Sequence, residues 1–110
     1  MPRVSSVQEV FDLMPAHFQP QQAGATNAVI QFDISGPGGG QWFATVSNGA
    51  LNVSTGQTPS PNLTVSASDQ NFLAIVNGEL KPMGAFMQGK VRVKGDMSLL
   101  MKMQNLFTFN

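Results

Sequence analysis

The chain has 110 residues, six basic and six acidic, and no cysteine, so its formal net charge is zero. A length of this order supports one hydrophobic core, and a single domain over residues 1–110 is expected. The charge balance provides no global field toward nucleic acid or an anionic bilayer, and the lack of cysteine excludes disulfides, thiolate nucleophiles and cysteine metal sites.

With 11% charged residues, the surface must be rich in Gln, Asn, Ser and Thr. The opening residues MPRVSSVQEVF contain no apolar signal-peptide core, and no apolar run approaches the length of a bilayer span. A soluble cytoplasmic protein is therefore expected. Asn52-Val53-Ser54 and Asn62-Leu63-Thr64 then match glycosylation sequons by chance.

Ser6 followed by Glu9 forms a capping box, and Val7, Val10, Phe11 and Met14 recur at helical spacing behind it. Pro15 opens a second short turn carrying Ala16, His17 and Phe18, and residues 20–26 read as a loop. Ala28, Ile30, Phe32 and Ile34 alternate with Gln31 and Asp33, the pattern of a half-buried strand. The turn Gly36-Pro37-Gly38-Gly39-Gly40 leads to a returning strand over 42–47. Asn48-Gly49 is a strong hairpin signal into a third strand over 50–54. Beyond Pro59 and Pro61, Leu63, Val65 and Ala67 alternate with polar residues, and the four strands are expected to form a meander with one wet face.

Ser68 or Asp69 caps a helix with Phe72, Leu73, Ile75 and Val76, stopped at Gly78. Pro82 opens a short helix closed at Gly89, and Lys90-Val91-Arg92-Val93-Lys94 alternates as a fifth strand with a basic outer face. Gly95-Asp96 turns into a last helix whose Leu99, Leu100, Met103, Leu106 and Phe107 share a stripe. The element order is α-β-β-β-β-α-α-β-α, an α+β fold with one sheet covered by helices.

The inventory for chemistry is thin. Residues 36–40 lack the Gly-Lys-Ser/Thr ending of a phosphate loop and sit between strands, so they read as a hairpin turn. His17 is the single histidine, and no Gly-x-Ser-x-Gly elbow accompanies it. The acids at 9, 12, 33, 69, 79 and 96 are scattered, and Glu9 with Asp12 reads as a solvated helix face, so neither a metal site nor a catalytic residue is expected. Lys90, Arg92 and Lys94 have no stacking aromatic between them, and no nucleic-acid partner is expected. Their like charge suits an edge strand resisting aggregation, with transient contact to an anionic membrane surface as the alternative.

Several ordered segments together resemble a known family. Gly36-Pro37-Gly38-Gly39 with Trp42 and Asn48-Gly49 come first, then Ser68-Asp69-x-x-Phe72-Leu73. Gly78, Pro82, Ala85-Phe86-Met87-Gln88-Gly89-Lys90, Gly95-Asp96-Met97 and Met101-Lys102-Met103-Gln104-Asn105-Leu106 follow. From about Val7 to its end the chain resembles the SCP2 sterol-carrier domain (sterol carrier protein 2, or nonspecific lipid-transfer protein). The resemblance implies a five-stranded mixed, mostly antiparallel sheet with helices on one face, enclosing a hydrophobic tunnel for lipid and holding no catalytic residue or cofactor. It places Trp42, Phe86, Met101, Met103 and Gln104 at the lipid, with Gln104 as a polar group able to bond a hydroxyl or headgroup. Ile30, Phe32, Phe72, Ile75, Met87, Leu99, Leu100 and Phe107 complete the candidate wall.

The expected ligand is a fatty acid, acyl-CoA, sterol-like or quinone-like isoprenoid molecule. The alternative is a non-catalytic accessory domain whose apolar groove takes a partner protein or a second copy. The sequence stops at Phe107-Thr108-Phe109-Asn110, without the extension and Ser-Lys-Leu-like tripeptide of animal members. A stand-alone microbial relative with a wider tunnel mouth is the corresponding expectation.

Overall fold

Hydroxyl and carboxylate caps set where three of the helices begin, and prolines open the others. In the computed structural model, which describes residues 3–106 and only the backbone of 103–106, the first helix, α1 (Val7–Leu13), starts at Ser6. The Ser6 hydroxyl accepts from the Glu9 N–H at 3.2 Å, while the Glu9 carboxylate accepts from the Ser5 N–H at 3.0 Å. The box thus closes one residue earlier than its reciprocal form. A 3-10 turn (Met14–His17) follows, then α2 (Pro20–Ala23), a four-residue helix where a loop is expected from sequence. Pro20 occupies the first helical position, where a missing N–H forfeits no bond, and Ala23 is buried.

Strands β1 (Ala28–Ser35), β2 (Gly40–Ser47), β3 (Ala50–Thr55) and β4 (Leu63–Ser68) come next, then helices α3 (Asp69–Val76) and α4 (Pro82–Met87). Strand β5 (Val91–Gly95) and helix α5 (Met97–Leu106) close the order. Ser68 caps α3 through the Asn71 N–H at 3.2 Å, and Asp96 caps α5 through the Ser98 and Leu99 N–H groups at 2.9 and 3.3 Å. Helices α3 and α4 both end with a residue at positive φ, Gly78 at 79° and Gly89 at 74°. The next N–H reaches back five residues in each case, Glu79 to the Ala74 carbonyl and Lys90 to the Ala85 carbonyl, both at 2.8 Å.

The sheet order is β3-β2-β1-β4-β5, mixed as expected: three neighbouring pairs are antiparallel and β1 with β4 is parallel. Asn48 and Gly49 turn β2 into β3 at φ values of 54° and 73°, the geometry of a two-residue hairpin that matches strand twist. The expected four-strand meander is corrected here. Only β1–β3 are joined by hairpins; β4 crosses to the far side of β1 and runs parallel to it.

The crossing is fastened across the outer face of the sheet by side-chain amides. Gln31 Nε2 donates to the Trp42 and Gly56 carbonyls, both at 3.1 Å, and Gln31 Oε1 accepts from the Thr58 N–H at 2.9 Å. Gln31, read from sequence as wet, is thereby buried to 4% exposure. Asn62 then docks β4: its N–H donates to the Val29 carbonyl and its Oδ1 accepts from the Val29 N–H, both at 2.8 Å. The Asn62 carbonyl also accepts from the Asp96 N–H at 2.9 Å, fixing the end of β5. Gly95, at φ 116°, sits so close that a Cβ there would lie 2.4 Å from the Asn62 carbonyl oxygen.

The inner face is apolar throughout. Ile30, Phe32 and Ile34 of β1, Trp42, Ala44 and Val46 of β2, and Leu63, Val65 and Ala67 of β4 are buried with Val7, Val10 and Phe11 of α1. Asn77, just past α3, grips the N-terminal segment by accepting from the Val4 N–H at 2.8 Å and donating to the Val4 carbonyl at 2.9 Å.

Candidate functional site

The candidate wall residues divide between two halves of the inner face. In the half under α1, Phe11 is sandwiched between Trp42 (centroids 4.5 Å, 14° between planes) and Phe72 (5.6 Å, 9°), with Phe32 edge-on at 5.1 Å. Four candidates lie here: Ile30, Phe32, Trp42 and Phe72, all buried. Gly40 makes room for the indole, since a Cβ there would come within 2.9 Å of Trp42 Cη2. The Trp42 indole N–H is buried with no acceptor among the described residues. An orphaned buried donor of this kind is destabilising by about 1–3 kcal/mol.

The half under α4 and α5 is built differently. Val91 and Val93 face inward beside Ala67 and Val65 of β4 and stay half-buried. Ile75 of α3, which packs against α4, and Leu100 of α5 are likewise half-buried, while Leu99 is buried. Outside them stand Met83, Phe86 and Met87 of α4 and Met97 and Met101 of α5, 37% to 76% exposed. These five are the exposed large apolar side chains among the described residues. The candidates Ile75, Phe86, Met87, Leu99, Leu100 and Met101 belong to this half, with Phe86, Met87 and Met101 at its surface. The side chains of Met103 and Gln104, and all of Phe107, lie outside the described residues.

Phe11, Met83, Met97, Val91 and Val93 share these surroundings but stand outside the candidate set. The alternation of Val91 and Val93 pointed to an inward face, and Phe11 lay on the stripe of α1. Neither signal separates a ligand wall from ordinary core.

At one end of the sheet lies a cleft of about 540 Å³, lined in part by Asp33, Ile34, Gln41, Ala67, Lys90 and Arg92. Asp33 Oδ1 accepts from the side-chain amides of Gln31 and Gln41, both at 3.2 Å, so the carboxylate is committed to holding strands together. His17 ends the 3-10 turn half-buried. Among the described residues, no three His, Cys, Asp or Glu side chains gather where a metal could sit, and no helix is long and apolar enough to cross a membrane.

A mixed five-stranded sheet in the order β3-β2-β1-β4-β5, with helices on one face, defines an α+β layer domain. The chain belongs to the SCP-2 sterol transfer family, whose model matches residues 8–108. Hydroxysteroid dehydrogenase-like protein 2 of Bos taurus is 34% identical over 105 residues, and its Homo sapiens counterpart 33% identical over 106. These matches cover 94% and 96% of this chain but 25% of each relative, so the chain spans about a quarter of their length.

Among solved structures, palmitated SCP2L2 from Aedes aegypti is 26% identical with a TM-score of 0.72, covering 90% of this chain and 91% of that one. The stereoselective inverting sec-alkylsulfatase Pisa1 from Pseudomonas sp. superposes with a TM-score of 0.81 over 97% of this chain and 17% of that one. At 23% identity the latter likeness is one of fold.

Proposed function

We propose that this chain is a lipid carrier without chemistry of its own, holding a fatty acyl chain between β5 and the helices α4 and α5. The observation that carries the reading is the unsealed apolar half: inward Val91, Val93 and Leu100 keep partial exposure, and five large apolar side chains stand around them. In the opposite half Ile30, Phe32, Trp42 and Phe72 are buried, while Leu51 and Val53 of the edge strand β3 stay half-buried without large exposed apolar side chains around them. Methionine suits such a role because its unbranched, polarisable side chain repacks around variable shapes. Each methylene buried contributes about 0.8 kcal/mol, so eight of them supply about 6 kcal/mol before association losses.

The sterol transfer family and the palmitated Aedes relative support a long apolar ligand. Met103, Gln104 and Phe107 are proposed to extend the wall, with Gln104 toward the polar end of the ligand. Sterol-like and quinone-like molecules are the competing cargoes. In the packed half, Ile30, Phe32, Trp42 and Phe72 would support the wall from behind.

The test is native mass spectrometry of freshly purified protein, followed by organic extraction. A stoichiometric co-purified acyl lipid is expected. An apo mass, with no thermal stabilisation by fatty acids, sterols or quinones, would sink the carrier reading in favour of a groove for a protein partner.

A further inference from the structure

The two faces of β5 carry opposite chemistry, and the strand stands at an edge of the sheet. Val91 and Val93 face inward, on the helix side, while Arg92 and Lys94 stand exposed on the outer face. The direction of the backbone groups follows from the register. Residues opposite each other in an antiparallel pair alternate between those that exchange both hydrogen bonds and those that exchange none. The Asp96 N–H donates to the Asn62 carbonyl at 2.9 Å, so the exchanging pairs along the ladder are Thr64 with Lys94 and Ser66 with Arg92. Val91, Val93 and Gly95 therefore turn their N–H and carbonyl groups away from β4, to the open edge. None of these groups has a hydrogen-bond partner among the described residues. Arg92 and Lys94 are without a carboxylate partner as well, since the ion pair among the described residues is Arg3 with Glu79. Asp33 shares the outer-face row of Ser66 and Arg92, but it lies two strands away and accepts from Gln31 and Gln41.

We propose that β5 takes up an extended segment of a partner protein as a further strand, one in which acidic residues alternate with apolar ones. The main chain of the segment satisfies the edge groups of Val91, Val93 and Gly95. In antiparallel register its residues opposite Arg92 and Lys94 share the outer face and are selected as Asp or Glu. Those opposite Val91 and Val93 point to the helix side and are selected as apolar. The cations thereby turn away neutral and basic strands and admit an acidic one. A second copy of the chain is not the occupant. Pairing β5 with β5 sets cations opposite cations, and no two acidic residues of this chain stand two positions apart, as such a segment requires. The contact is made by the edge of the sheet, so it goes beyond the carrier reading and stands or falls apart from it.

The experiment titrates the purified chain into a fluorescein-labelled peptide of about seven residues, alternating Val and Glu, and reads anisotropy. Saturable binding is expected, tighter by about tenfold or more than that of a scrambled peptide of the same composition. The valines are the residues whose N–H groups meet β5, so N-methylation at the valines should abolish binding and N-methylation at the glutamates should spare it. The double variant Arg92→Glu/Lys94→Glu should lose about tenfold or more for this peptide and gain as much for one alternating Val and Lys. Its melting temperature should stay at the wild-type value, because both side chains are exposed. No saturable binding, equal binding by the scrambled peptide, or binding indifferent to charge reversal would overturn the proposal. So would a loss that follows methylation of the glutamates rather than the valines. The titration contains no lipid: its failure leaves the carrier reading untouched, and an apo protein that binds the peptide leaves this proposal standing.

Discussion

Phe11 and Met87 both stand on short helices over the same sheet, yet Phe11 is 3% exposed and Met87 76%. Phe11 fills the space between two aromatic rings and closes the β1–β2 half. Met87 ends a helix over β5 and covers nothing that the described side chains seal. One half of the inner face therefore behaves as solid core, where removing volume is destabilising. The other half has apolar side chains whose burial awaits something else. The same residue types thus provide rigidity in one place and capacity in the other, and the contrast between halves carries the functional reading.

That contrast can be broken by substitution. Phe11→Ala should have the largest effect, about 3–5 kcal/mol, seen by calorimetry as a drop in melting temperature of roughly 12 °C or more. A loss under about 1 kcal/mol would mean that the stack is not packed as described. Next comes Gln31→Leu, which strands the Thr58 N–H and the Trp42 and Gly56 carbonyls; about 2–3 kcal/mol should be lost in urea unfolding, with acyl binding intact.

Val93→Trp probes the open half. Fluorescent acyl-probe titration should show about tenfold weaker binding while stability changes by less than about 1 kcal/mol, if the ring takes the place proposed for the ligand. If the variant instead loses about 1–3 kcal/mol and binds probe normally, that space belongs to the core. Trp42→Phe keeps a ring against Phe11 and removes the orphaned N–H, so stability should shift by under about 1 kcal/mol, in either direction. Met87→Gln is the smallest, within about 0.5 kcal/mol of wild type; a larger loss in thermal unfolding would place Met87 in a contact that its exposure does not show.

Much of the fold was legible because local rules act within a few residues. Ser6, Ser68 and Pro82 announced helix starts, Gly78 and Gly89 their ends, and Asn48-Gly49 a hairpin, all as found. The position of β4 was not legible from alternation. Leu63, Val65 and Ala67 look the same whether they extend a meander or pair in parallel with β1, and the choice is made by Gln31 and Asn62 reaching across the sheet. Gln31 itself reads as a solvated residue until the crossing loop covers it.

The family pattern located the fold, but hydrophobicity could not sort Phe72 from Met87, or Met14 from Met101. All four are apolar residues on short helices or turns. Only the packing of distant segments decides which are sealed.

The measurement closest to the central claim is NMR of methyl-labelled methionines during palmitate titration. The chain carries seven, of which Met14 is buried in the packed half while Met83, Met87, Met97 and Met101 surround the open one. Palmitate should shift the methyl signals of α4 and α5 and leave that of Met14 in place. If palmitate binds and Met14 moves while the α4 and α5 methyls do not, the ligand sits in the other half and the account fails.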